Sequence, residues 1–128
     1  MFYALIVFIG SGIGGALRYG VYVGTVQWFG TGFPWGTFIV NIVGSFVMGM
    51  LGAAFVARIG LFGQPEWRIF LTTGVLGGFT TFSAFTLDTI YLYERGEALL
   101  TAFYVAGSVV LSLIAVFAGL WLVRTLAG

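Results

Sequence analysis

Hydrophobic positions fall into four long runs, at about 2–26, 35–57, 67–93 and 98–124, separated by short turns. A helix needs about 20 mainly apolar residues to cross a bilayer, and each run meets that length. The stretch from Gln27 to Pro34 carries Gly30, Gly32 and Pro34, and that from Arg58 to Glu66 carries Gly60, Gly63 and Pro65, both turn signals. Glu94-Arg95-Gly96-Glu97 joins the last two runs. The pattern predicts an all-α integral membrane protein, one transmembrane domain over 1–128, with both termini on one side. No basic segment precedes the first run, so span one is expected to begin almost at Met1 rather than as a cleaved signal.

The third run departs from a plain span. From Gly74 to Asp88 it reads GVLGGFTTFSAFTLD. Adjacent Gly77 and Gly78 weaken a helix, and the hydroxyls of Thr80, Thr81 and Ser83 compete for its backbone hydrogen bonds. These residues predict a helix broken at mid-membrane. An unsatisfied peptide group in hydrocarbon costs several kcal/mol, so such a break persists only where it is buried or lines a cavity. It frees carbonyls and amides that hold ions. Phe79, Phe82 and Phe85 recur beside it; ring edges are electropositive and touch anions favourably. Hydroxyls and ring edges suit an anion, and bare carbonyls a hard cation such as Na⁺. Both fit one segment if the cation is structural and the anion moves.

Polar positions elsewhere are few. Asn41 lies among Phe38, Ile39, Val40, Ile42 and Val43, with Ser45 one turn on. Its amide must find partners, either as an interhelical clamp or as a donor lining a path. Thr101, Tyr104, Ser108 and Ser112 share one helical face, which is expected to turn toward a partner helix or a wet track. In span one the pairs Gly10/Gly14 and Gly20/Gly24 permit close helix contact. Arg18 either snorkels to the interface or makes a pore mouth electropositive. Asp88 is a vestibule charge or a helix-end polar group.

Composition narrows the function. The 128 residues are 60% hydrophobic and 7% charged, with a mean hydropathy of +1.10. Absence of Cys and His removes thiolate nucleophiles, cysteine metal sites and imidazole chemistry. The acidic residues Glu66, Asp88, Glu94 and Glu97 form no evident pair for an enzyme, and a net charge of +1 predicts no nucleic-acid partner. Every basic residue is Arg. Arg58, Arg68 and Arg124 share one side, against Arg95 and Arg18 on the other, an excess too small to fix orientation. That balance fits a dual-topology antiparallel homodimer, and equally a weakly biased chain oriented by other features.

The run Gly77-Gly78-Phe79-Thr80-Thr81-Phe82-Ser83-Ala84-Phe85 resembles the signature of the Fluc (CrcB) fluoride channels. The resemblance extends to Gly15-Ala16-Leu17-Arg18-Tyr19, to Pro34-Trp35-Gly36-Thr37 followed by Asn41, and to Trp67-Arg68 ahead of Leu71-Thr72-Thr73-Gly74. It implies a passive fluoride exporter in the inner (plasma) membrane, an antiparallel dual-topology dimer in the lipid bilayer with two pores. It further implies a central Na⁺ on the backbone carbonyls of Gly77 and Thr80 from each subunit. By the same resemblance the fluoride path takes Phe82, Phe85 and Asn41, with Thr81, Ser83, Tyr104, Ser108 and Ser112 as a polar track and Arg18 and Asp88 at the mouth. Ala84 stands where relatives often have Thr or Ser, and Asp88 where many have Glu. The runner-up is a small four-helix drug/proton antiporter, for which Asp88 is the one carboxylate within a span. A third reading is a structural membrane subunit.

Overall fold

The computed structural model describes residues 1–128, all helix and short connection. Helix α1 spans Phe2–Phe29 and α2 spans Trp35–Ala57. A 3₁₀ turn at Gly60–Gly63 leads to α3, Pro65–Ile69, with Pro65 at the first helical position where its missing N–H costs nothing. The chain continues as a π-helical segment, Phe70–Leu76, then α4, Gly77–Phe79. After two extended residues α5 runs Phe82–Glu94, and α6 closes the chain at Ala98–Ala127. Four stretches, Phe2–Phe29, Trp35–Ala57, Pro65–Glu94 and Ala98–Ala127, are long and apolar enough to cross a membrane.

Glycine sets the helix spacing. Gly10 of α1 meets Gly74 of the third stretch, Gly14 meets Val75 and Phe79, and Gly78 meets Ser11 and Gly15. A Cβ at Gly10 would lie 2.9 Å from the Gly74 Cα, and one at Gly14 would overlap the Val75 carbonyl oxygen. The α2–α6 pair uses the same device: a Cβ on Gly49 would meet the Val116 carbonyl, and one on Gly119 the Phe46 carbonyl. Gly20 and Gly24 differ, because nothing in the chain lies within 4 Å of either added Cβ. Only the first of the two expected glycine pairs packs within this chain.

The helix interruption falls inside the expected stretch, at its threonines and not at its glycines. Gly77 and Gly78 are helical; the extended residues are Thr80 (φ −87°, ψ 158°) and Thr81 (φ −153°, ψ 123°). Gly78 is small because of close approach, its added Cβ overlapping the Ser11 carbonyl and lying 3.0 Å from the Gly15 nitrogen. The π-helical segment had no counterpart in the predicted pattern.

At one end Phe33, Phe38, Leu92 and Tyr104 form a buried cluster with Trp35 and Phe85 against it. Phe33 meets Tyr104 edge-on, ring centroids 5.4 Å apart. Arg95 ties this end, donating to the Gly32 carbonyl at 2.7 Å and pairing with Glu97 at 2.6 Å. Large apolar side chains such as Phe8, Val56, Leu99, Phe117 and Trp121 point outward, a surface suited to lipid or to another apolar partner.

Candidate functional site

The interruption at Thr80–Thr81 is held by side chains from two other helices. In a continuous helix each carbonyl accepts from the amide four residues on. Here the Thr81 N–H that would serve Gly77 donates to Asn41 Oδ1 at 2.9 Å. The Ala84 N–H that would serve Thr80 donates to Thr81 Oγ1 at 3.2 Å, making Thr81 the cap of α5. The Gly78 carbonyl receives Arg18 Nε at 3.1 Å. Asn41 completes its grip by donating Nδ2 to the Thr81 carbonyl at 3.0 Å. The carbonyls of Gly77 and Thr80 are thus released from helical service, and Gly77 lies on the exposed side of the chain.

This arrangement juxtaposes two opposite helix ends. The carbonyl end of α4 favours a cation, and the amide end of α5 favours an anion. The two extended threonines place one end beside the other, with Arg18 at the carbonyl end.

Beside the interruption lies a groove of about 340 Å³ whose lining includes Asn41, Ser45, Thr81, Phe82, Ser108 and Ser112, with Phe85 and Thr80. Six of the residues predicted from sequence for the fluoride path therefore come together: Asn41, Thr81, Phe82, Phe85, Ser108 and Ser112. The Phe82 and Phe85 rings lie 5.7 Å apart, and Phe85 lies 5.2 Å from the Tyr104 ring. Ser108 is buried, and its hydroxyl has no partner in the chain. A buried hydroxyl without a partner is uncommon, and this one belongs to a residue that lines the groove.

Tyr104 is fully buried and touches Phe85 of this groove and Asp88 of a second cleft of about 280 Å³. Its hydroxyl donates to Asp88 Oδ2 at 3.2 Å, and Asp88 lines that cleft with Tyr22, Thr37 and Arg95. Ser112, Ser108 and Tyr104 follow one another at four-residue steps on α6, with Asp88 hydrogen-bonded to the last. Thr101 leaves the expected stripe, because its hydroxyl donates to the Glu97 carbonyl of its own helix. Ser83 sits apart from the groove, its hydroxyl 3.3 Å from Thr81 Oγ1. Arg18 is drawn to Gly78 rather than to the end of its helix.

Two contributors went unread in the sequence. Thr37 is buried and shares a hydrogen bond of 3.1 Å with the Tyr22 hydroxyl in the second cleft. Spacing was the available signal, since Thr37, Asn41 and Ser45 follow one another at four-residue steps on one face of α2.

Residues 5–120 match the family described as CrcB-like protein, Camphor Resistance (CrcB). The chain belongs to the CrcB family. It is 55% identical over 122 residues to the "Fluoride-specific ion channel FluC 2" of Nitrobacter hamburgensis, covering 95% of this chain and 97% of the relative. It is 52% identical to the "Fluoride-specific ion channel FluC" of Granulibacter bethesdensis, covering 95% of this chain and 94% of the relative. For the Mesorhizobium japonicum protein of the same name the identity is 48%, over 98% of this chain and 99% of that one. These CrcB relatives lend the drug/proton antiporter reading no support. With its apolar helices, this CrcB chain is a multi-pass membrane protein.

Proposed function

We propose that this CrcB-family chain is a fluoride-selective channel that lets fluoride leave the cell passively through the plasma membrane. Relatives about half identical over nearly the whole chain bear that activity in their names. The observation that carries the reading is the groove at Thr80–Thr81, which Ser108, with its unpartnered hydroxyl, lines together with paired phenylalanines and the amide end of a helix. Fluoride is small and strongly hydrated, so a dry apolar passage rejects it. Donors in series replace its water shell stepwise, and the absence of a deep single site lets it leave. In this reading the anion follows Ser112, Ser108 and Tyr104 past the edges of Phe82 and Phe85. Asn41 holds the interruption and keeps one Nδ2 hydrogen to offer. Ser83 and Thr81 add hydroxyls, Asp88 acts toward a mouth, and Arg18 lies inward beside the interruption. Nothing in this path makes or breaks a covalent bond, so the chain conducts rather than catalyses.

The same reading places the interruption at bilayer mid-depth and pairs the chain with a second, antiparallel copy, giving two pores. Gly77, Phe82 and Ser83 are exposed in the single chain, and the Gly20/Gly24 face is open, as a dimer surface requires. Two copies would bring the Gly77 and Thr80 carbonyls of each around one Na⁺. Their release from helical donors makes them fit ligands for a hard cation, which would neutralise clustered carbonyl dipoles. The test is efflux from liposomes holding purified protein, with fluoride compared against chloride. Fluoride release with chloride retained is the expected result; equal rates, or no flux, would remove the reading. Crosslinking in native membranes reports the antiparallel pair.

A further inference from the structure

The geometry points to Arg18 as a positioning residue for the helix interruption: by holding the Gly78 carbonyl it decides which carbonyls stay open. Gly77, Gly78 and Thr80 all lose the amide that a continuous helix would supply. For Gly77 and Thr80 that amide is diverted to Asn41 Oδ1 and Thr81 Oγ1, and no replacement donor arrives. For Gly78 a replacement does arrive, Arg18 Nε at 3.1 Å. One carbonyl is closed by a charged donor and its neighbours are left open. Without Arg18, Gly78 would compete with them for any cation and its peptide would be free to turn.

The reach depends on α1. Gly78 approaches the Ser11 carbonyl and the Gly15 nitrogen too closely for any Cβ, so Arg18, within a turn of Gly15, reaches it with its innermost nitrogen. The guanidinium stays charged, and it sits at the carbonyl end of the helical stretch before Thr80, where a cation is favoured. Asn41 fixes the far side at Thr81, so the turn is pinned at residues 78 and 81 from two different helices.

This role does not need the anion path, and only its second readout rests on the proposed cation site. Amide hydrogen exchange over residues 79–84 is compared between the parent and Arg18→Met, which keeps the apolar stem but lacks the donor. Loss of a charge-assisted hydrogen bond predicts exchange about tenfold faster or more, with Arg18→Lys restoring much of the protection. Parental exchange in Arg18→Met would overturn the assignment, because an arginine acting only as a mouth charge leaves these amides untouched. Should Arg18→Met not assemble, Arg18→Gln, too short to reach Gly78, is read in its place with the same expectation. Titration of Na⁺ against thermal unfolding then separates the two ideas. A raised Na⁺ midpoint in Arg18→Met supports both. Faster exchange with no Na⁺ response in the parent upholds Arg18 and removes the cation site.

Discussion

Asn41 and Thr81 exchange two hydrogen bonds, Nδ2 to the Thr81 carbonyl at 3.0 Å and the Thr81 amide to Oδ1 at 2.9 Å. A side-chain amide here completes the backbone of a residue on another helix, as a neighbouring strand would. At Thr81 the interruption is therefore satisfied on both backbone groups, which helps it persist in an apolar surrounding, while the Gly77 and Thr80 carbonyls stay open. The same contact binds α2, the groove wall and the start of α5 into one unit.

Asn41→Ala strands both backbone groups of Thr81. Each buried group left without a partner costs about 1–3 kcal/mol. The expected outcome is a clearly lower unfolding midpoint in detergent together with lost fluoride efflux. Asn41→Asp keeps an acceptor for the amide but no donor, and should fall between. An alanine variant as stable as the parent would show that the clamp does not hold the turn.

Ser108→Ala should separate stability from transport. The hydroxyl is buried and unpartnered, so its removal relieves a desolvation penalty of about 1 kcal/mol or leaves the fold unchanged. Fluoride efflux should nevertheless fall, because the row from Ser112 to Tyr104 loses its middle donor. Equal efflux at equal or higher stability would take Ser108 out of the path.

The two phenylalanines of the groove should respond differently. Phe82 is 75% exposed in the single chain, whereas Phe85 packs on Tyr104 at 5.2 Å. Phe85→Ala is expected to cost about 1–3 kcal/mol of fold stability, and Phe82→Ala within about 0.5 kcal/mol. Both should reduce fluoride efflux from liposomes. Thermal unfolding beside efflux for each variant checks the pair, and undiminished efflux in both would exclude the rings from conduction.

Gly14→Ala should be among the most damaging single-methyl changes. Its Cβ would overlap the Val75 carbonyl oxygen, which belongs to backbone and cannot swing away. Overpacking of this kind costs about 1–3 kcal/mol or more. Gly12→Ala, with nothing within 4 Å inside the chain, should leave folding intact and gain helix propensity of up to about 1 kcal/mol. Expression and unfolding of the two variants side by side decide the point.

Span number and most of the groove were legible in the sequence because both rest on local pattern. Apolar run length predicts helices, and a four-residue step predicts that Tyr104, Ser108 and Ser112 share a face. Long-range partners were not legible. Glycine and hydroxyl propensity marked a break somewhere from Gly77 to Ser83, whereas Asn41, forty residues distant, fixes it at Thr80–Thr81. Arg18 offered two end-of-helix readings, and its partner Gly78, sixty residues on, belongs to neither. Thr101 fitted the helical period but lay beyond the groove, where its own helix satisfied it.

The π-helical segment at Phe70–Leu76 leaves this chain a spare residue of length upstream of its working turn. A π turn is a regular helix that has absorbed an insertion. Deleting one residue there should let the coil tighten while Gly77 onward keeps its compass bearing. The same deletion within Phe82–Glu94 would swing every later side chain by about 100°. Homologues and engineered versions can thus differ by one position before Gly77 and still agree in everything after it.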